Sequence, residues 1–420
     1  MSLPKEYNVV EPIEPFKKEV VNNLVTCSPK NSGTYTQSQY IEVDLPQSNW
    51  LNPASLSLNY KLLVNTSADV NGAVMLGVPA YCPFSRVDVL ADGVVIETIN
   101  NYNSLCQMIL CGTMDVAQKA GNVGYGYLEN LSMGTWDNRS FGASLTDASP
   151  TATLYISAPL IATLLTNTDK NLPLFCMPKI TIRFTITNIN DITMVSPSFV
   201  GTFTKFEVSQ FRLTYESSSL GSDVESLIKK SSPKIKSFGY TSTSNTILAG
   251  TNNTQQIVFN AKYASLKAGF LLCTRGNATG SKGVEFSDIT SGNGEYQFKI
   301  GNNSAYPQSA LSTTYSNTSI MNEFKRAMQH IYKSDGKSLC VNGAEYAITI
   351  NTTTANLSTF NPGKFIPSYA FNGENTLSDP LTAVIQMNTA TLINANVSLV
   401  VCYDAVLVLD PIQKKLTLQK

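Results

Sequence analysis

Apolar and polar residues alternate along most of this chain in short runs, separated by clusters of Gly, Pro, Asn, Asp, Ser and Thr. QYIEVDL, SLSLNYKLLV, SRVDVL, VVIETI, KITIRFTIT, FEVSQFRLTYE, QQIVFN, GFLLCT, EYQFKI, AEYAITI, AVIQMNT and NVSLVVCYDAVLVLD are examples. A period of two over β-branched and aromatic residues predicts strands. ADG between SRVDVL and VVIETI predicts a hairpin over residues 86–99, because Asp-Gly accepts the positive φ values of a tight primed turn. Many short strands and few helices predict a sandwich or barrel.

Helical periodicity is confined to three short segments. Asn100 to Leu110 places Tyr102, Leu105, Cys106 and Ile109 on one face after an Asn cap. Ser319 to Tyr332 repeats the arrangement with Ile320, Phe324, Ala327, Met328 and Ile331. Residues 221–230 carry Ser222 and Glu225 at capping-box spacing and run into SSP, which ends the helix.

The two longer helices occupy comparable places, which exposes an internal repeat. QYIEVDL and SLSLNYKLLV in the first half answer to QQIVFNA and SLKAGFLLCT in the second. A strand pair and helix follow in each, VDVLADGVVIETINNYNSLCQMI and YQFKIGNNSAYPQSALSTTYSNTSIMNEFKRAMQHI. Each half closes with two strands: KITIRFTITNIND then FEVSQFRLTYE, and LTAVIQMNTATLIN then ANVSLVVCYDAVLVLD. A period of about 200 residues is too long for a solenoid and fits duplication of a whole β-sandwich. The expected division is an arm at 1–19, a sandwich at 20–216, a linker with a short helix at 217–236, a sandwich at 237–412 and a tail at 413–420.

The closing strand is apolar on both faces. One face carries Val400, Cys402, Asp404, Val406 and Val408; the other carries Val401, Tyr403, Ala405, Leu407 and Leu409. A strand facing water would alternate, so a second domain or a neighbouring chain is expected over its outer face, with Asp404 paired or hydrogen-bonded.

Composition narrows the class. The 420 residues are 43% hydrophobic and 14% charged, against a usual charged share of about 25%, which disfavours long helices and coiled coils. Lys+Arg and Asp+Glu number 30 each, so no basic field points to nucleic acid or anionic membrane. The termini do not alter this: Lys5, Lys17 and Lys18 face Glu6, Glu11, Glu14 and Glu19, and Lys414, Lys415 and Lys420 lie beside Asp410. The eight cysteines (Cys27, Cys82, Cys106, Cys111, Cys176, Cys273, Cys340, Cys402) have no framework spacing and sit mostly in apolar runs. The N-terminal stretch lacks a signal-peptide core, and the longest apolar runs reach a dozen residues where a spanning helix needs about twenty. A reduced protein made inside the cell is expected, with sequons such as Asn65-Thr-Ser and Asn351-Thr-Thr arising by chance.

Catalytic signatures are missing. His330 is the one histidine and is expected at a helix end on the surface. Cys106 and Cys111 are expected to be packing residues on and just past the first helix. Gly336-Lys337-Ser338 resembles the end of a phosphate loop, but Ile331 stands where its first glycine belongs. GNVGYG at 121–126 lacks a strand-turn-helix setting, and Asp69-Val-Asn-Gly lacks the remaining calcium acceptors. No enzyme activity, catalytic residue, cofactor or metal is expected.

In order and coverage the chain resembles the double-jelly-roll major capsid proteins of the tailless-phage and adenovirus lineage, and most of all those of virophages and polinton-like viruses. The resemblance rests on VVNNLVTCSPKNSGTYTQSQYIEVDLPQSNWLNP, FSRVDVLADGVVIETINNYNSLCQMIL and LPLFCMPKITIRFTI. It continues through YESSSLGSDVESLIKK, GNGEYQFKIGNNSAYPQ, MNEFKRAM, NPGKFIPS and VSLVVCYDAVLVLDP. It implies an all-β fold of two tandem eight-stranded jelly rolls with a few short helices in loops. It also implies a homotrimer of pseudo-hexagonal outline tiling an icosahedral DNA-virus shell, with penton and minor capsid proteins as partners and an internal membrane as one contact of the arm. The virion is the implied location. The alternative is a two-domain carbohydrate-binding or adhesive β-sandwich, for which the plentiful Tyr could stack on sugars, while the isolation of Trp50 and Trp136 speaks against it.

Overall fold

The structure is a computed structural model. It describes residues 21–420 except 32, 67–73, 77–79, 115–141, 144–150, 190–192, 196–202, 220–221, 276–285, 287–288, 291–292, 302–303, 314–317, 333–364 and 389–393. The arm at 1–19, Asp69, GNVGYG, Trp136, Gly336-Lys337-Ser338, Cys340 and Asn351 lie outside the described residues.

The first half contributes β1 (Val21–Cys27), β2 (Tyr40–Asp44), β3 (Ser57–Thr66), β4 (Phe84–Ala91), β5 (Val94–Asn100), β6 (Thr151–Pro159), β7 (Ile180–Ile186) and β8 (Phe203–Ser219). These form two antiparallel sheets in the orders β1-β8-β3-β6 and β2-β7-β4-β5. The second half contributes β9 (Lys234–Ile247), β10 (Gln255–Phe259), β11 (Leu266–Arg275), β12 (Gly294–Ile300), β13 (Ser304–Ser312), β14 (Ser368–Ala370), β15 (Leu381–Met387) and β16 (Ala395–Asp410). Their orders are β9-β16-β11-β14 and β10-β15-β12-β13. Adding eight to each label of the first half reproduces the second. Both halves are therefore eight-stranded jelly rolls of one topology.

Helices fall at matching places. The first, α1 (Tyr102–Thr113), follows β5; α2 (Ser222–Lys230) joins the halves; α3 (Thr318–Tyr332) follows β13. Lys415–Gln419, expected as part of a tail, forms β17 and pairs with Val406–Asp410 of β16.

Each roll closes around aromatic side chains from both of its sheets. In the first, Phe84 of β4 and Phe184 of β7 meet Tyr60 of β3 and Phe211 of β8, with ring centroids 5.2 to 6.0 Å apart. Phe211 reaches the core because β8 bulges. Gln210 has φ 54° and the register against β3 shifts between Ser209 and Arg212. Phe206 and Val208 point inward before the bulge; Phe211, Leu213 and Tyr215 do so after it. In the second roll Phe298 of β12 and Tyr306 of β13 meet Phe371 just past β14. The hairpin between β4 and β5 turns at Asp92 (φ 48°) and Gly93 (φ 81°), the two positive values its sequence predicts.

The closing strand departs from expectation in what covers it. Val401, Tyr403, Ala405, Leu407 and Leu409 are buried on the inner face. On the outer face Val400 and Cys402 are also buried, and the cover is α3 of the same roll. Phe324 of α3 packs on Phe270 of β11, which is paired with Val400. Tyr332 of α3 meets the Tyr240 hydroxyl at 2.9 Å, and Tyr240 is paired with Cys402. Beyond the helix Val406 and Val408 are half-buried. Asp404 is exposed and accepts from Ser265 Oγ at 2.5 Å and Lys267 Nζ at 3.2 Å. Neither a second domain nor another chain is needed over Val400 and Cys402.

An ion-pair ladder crosses the outer face of the β2-β7-β4-β5 sheet. Asp44 accepts from Lys30 at 2.8 Å, Lys179 at 2.6 Å and Thr181 Oγ1 at 2.6 Å, and Arg183 holds Glu42 at 2.6 Å. Desolvation raises the pKa of Asp44, but the hydrogen bonds from Lys179, Lys30 and Thr181 outweigh it and hold the carboxyl below its ordinary value. A depressed carboxylate stabilises the fold above its unfolded pKa and loses that contribution as pH falls through the folded value. Replacing Asp44 with Asn should cost about 0.5–1 kcal/mol at neutral pH, since the group is partly exposed. Urea unfolding at pH 7 and at pH 2.5 should show that difference at the higher pH and its near disappearance at the lower.

Candidate functional site

A sheet edge offers unpaired N–H and C=O groups and must be covered or paired. In the second roll the edge strand β9 is covered by the first roll of the same chain. Ser237 Oγ donates to the Leu164 carbonyl at 2.7 Å, and Asn167 Nδ2 donates to the Phe238 carbonyl at 2.8 Å. Ser242 Oγ donates to the Asn100 carbonyl at 3.1 Å. Asn101, expected as a helix cap, has φ 51° and makes no capping hydrogen bond. Its amide crosses to the second roll instead, donating to Ser244 Oγ at 2.7 Å and Ser398 Oγ at 3.2 Å. α1 completes the junction by bringing Gly112 against Met328 and Phe324 of α3.

Three elements of the first roll therefore make the junction: the end of β5, the helix after it and the loop that follows β6. The loop is tightly built. Thr163 and Thr166 exchange hydrogen bonds, and Leu160, Ala162, Thr163, Leu164 and Leu165 are buried. Glu97 of β5, itself 3% exposed, holds the loop from beneath by accepting from the Leu164 N–H at 2.9 Å.

Among the described residues, nothing covers the equivalent elements at the far ends of the chain. β1, the counterpart of β9, has an exposed edge with Leu24 at 73% and Val21 at 45%. The loop after β14, the counterpart of the Leu160–Asn167 loop, leaves Asn372, Gly373, Glu374, Asn375 and Leu377 exposed. β13, the counterpart of β5, exposes Gln308 and Ser309. One kind of contact surface is thus used once within the chain, and its two complementary halves remain open.

Residues singled out from the sequence fall elsewhere. His330 is exposed near the end of α3. Cys106 and Cys111 both lie within α1, where Cys111 had been placed just past the helix, and both are buried. Burial pushes the Cys27 thiol up to about 11, with the Asp44 charge adding to the effect. Trp50 is half-buried in a short strand paired with Ser218 and meets Phe175 edge-on at 5.5 Å. No cluster of three metal-ligating side chains occurs among the described residues. Sequence reading missed Glu97 and Leu164. Glu97 stands two residues before Ile99 in VVIETI, at the spacing of one strand face and so a signal for an inward-facing carboxylate, while nothing local marks Leu164 as the docking residue.

No protein-family model matches the chain, and comparison with curated proteins gives no match. Solved structures do match. PBCV-1 VP54, as fitted into a cryo-EM reconstruction of the virophage Sputnik, has a TM-score of 0.61 at 11% identity, over 96% of this chain and 97% of its own. The Faustovirus major capsid protein has a TM-score of 0.59 at 8% identity, over 97% and 92%. The mavirus major capsid protein has a TM-score of 0.54 at 10% identity, over 100% and 95%. At these identities the likeness is one of fold, and it is complete: the chain has the double-jelly-roll fold seen in these viral capsid structures, over its whole length.

The closeness of the junction is testable at two glycines. A Cβ at Gly239 would meet the Tyr403 ring at 2.6 Å and Leu164 at 3.2 Å, and Tyr403 is held by stacking on Tyr263 at 4.0 Å. A Cβ at Gly112 would meet Met328 at its Cε (2.6 Å) and Cγ (3.0 Å) and the Phe324 ring at 3.3 Å, the closest of these being the flexible end of the Met side chain. Gly239→Ala should therefore lose about 1–3 kcal/mol. Gly112→Ala should stay within about 1 kcal/mol of wild type, as helix propensity offsets the crowding. Denaturant unfolding of the two variants checks the order.

Proposed function

We propose that the chain is the major capsid protein of an icosahedral DNA virus, a structural rather than catalytic subunit. The observation that carries this is the repeated strand order together with the open halves of the junction that the repeat leaves at either end. A head-to-tail contact either closes into a ring or runs on as a filament. Three copies supply six rolls, and six rolls joined by one kind of contact make a pseudo-hexagonal ring. The full-length likeness to capsid proteins of mavirus, Faustovirus and PBCV-1 supports the same reading.

In this arrangement β13 and the 371–379 loop of one copy cover β1 of the next, as β5 and the 160–167 loop cover β9 within a chain. The two rolls divide near the expected 20–216 and 237–412, except that β8 runs on to Ser219, β9 starts at Lys234 and β17 extends the second roll, which shortens the 217–236 linker. The arm at 1–19 reaches neighbouring capsomers, penton or minor capsid proteins, or an internal membrane. The subunit is made in the host cell and resides in the virion shell. Its neutral net charge gives it no general grip on nucleic acid.

Mass photometry of the purified chain should give a particle of three times 45.6 kDa. Leu24→Asp and Leu377→Asp, each at an exposed apolar side chain, should shift that particle to monomer while leaving the circular dichroism spectrum unchanged. A wild-type monomer at micromolar concentration, or a trimer indifferent to both substitutions, would contradict the arrangement.

A further inference from the structure

The junction between the rolls contains an ionisable group that sheet packing does not require. Glu97 lies on the inner face of edge strand β5, where Ile99 shares its side of the sheet. Its Oε2 accepts one hydrogen bond, from the Leu164 N–H, and its Oε1 is buried without a partner. The groups whose charges act at this site come from every element around it: Tyr102 of α1, Tyr263 and Tyr403 of the second roll, and the Lys420 ammonium. Leu164 is the pivot. Its N–H is held by Glu97 of the first roll, and its carbonyl is held by Ser237 of the second.

We propose that Glu97 is a proton-linked latch on the junction, holding the 160–167 loop against the second roll while protonated and releasing that contact when it ionises. A carboxyl with one partner and one bare buried oxygen accommodates a proton far better than a charge. Once charged, it draws water and counter-charge toward itself, which favours an opened junction over the closed one that buries it. The latch is a property of the two-roll chain and holds whether or not copies assemble.

Desolvation raises the Glu97 pKa from 4.5 to about 8, and the Leu164 N–H and the Lys420 ammonium offset only part of it. The sign follows from linkage. Below about 4.5 the group is neutral in both folded and unfolded chains and adds nothing. Between about 4.5 and about 8 the unfolded chain loses its proton while the folded chain keeps it, so the folding constant falls by up to about tenfold per pH unit. Above about 8 both are charged and the effect levels off.

The test compares the full-length wild type with Glu97→Gln from pH 5 to pH 9. The ratio of the variant's folding constant to the wild type's should climb through that window and flatten at its top. Hydrogen exchange at the amides of Leu164 and of residues 237–242, corrected for intrinsic base catalysis, should quicken above pH 7 in wild type and stay level in the variant. Should the variant fail to fold, carboxyl carbon NMR of wild-type Glu97 reads the same question, together with exchange at the same amides. A resonance titrating near pH 8 with matching amide opening supports the latch. Parallel stability profiles, a Glu97 already ionised at pH 6, or junction amides indifferent to pH would overturn it.

Discussion

The edge of β9 is the constraint on which the molecule turns. Jelly-roll sheets end in edge strands, and an uncovered edge invites pairing with any other chain. Here the edge is capped by side chains and carbonyls of a loop and a strand end, through Ser237, Phe238 and Ser242, so the contact is specific in register as well as position. Everything else at the junction serves to present those groups. The Thr163–Thr166 turn shapes the loop, Glu97 props it from below, and α1 sets its neighbouring wall against α3.

Duplication carries this local solution into the proposed assembly. Because the second roll repeats the first strand for strand, it also repeats the capping elements and leaves an edge of the same kind at the start of the chain. The difference in exposure carries the argument. The loop after β6 is buried because it has docked; its counterpart after β14 is exposed because, within one chain, it has nothing to dock on. The α3 helix shows the limit of the symmetry. It covers the outer face of β16 at Val400 and Cys402, whereas β8 turns Glu207 and Arg212 away from the core on either side of its bulge.

Much of this was legible in the residues. Period-two runs located the strands, Asp92-Gly93 set a hairpin, and the matched order of strand pair and helix disclosed the repeat without sequence identity between the halves. The doubly apolar closing strand was read correctly as covered on both faces, and the first roll does reach its outer face at Ser398, yet over Val400 and Cys402 the cover is a helix of the same roll, and a helix distant in sequence leaves no local mark on the strand it lies against. Asn101 misled for a related reason. An Asn before a helix satisfies the capping rule, but its side chain found better partners in Ser244 and Ser398, nearly 150 and 300 residues away. Lys415–Gln419 looked like a tail since five residues with two Leu carry too little pattern to announce a strand. Glu97 shows the same boundary: its period was visible, but its burial depends on a roll formed later in the chain.

A cryo-EM map of the purified protein tests the central claim most directly. Three copies around a threefold axis, six rolls at near-equal spacing, and β13 of each copy lying beside β1 of the next would establish that one contact is used within and between chains. A twofold dimer, or a ring in which β1 faces solvent, would show that the repeat inside the chain does not dictate how chains meet.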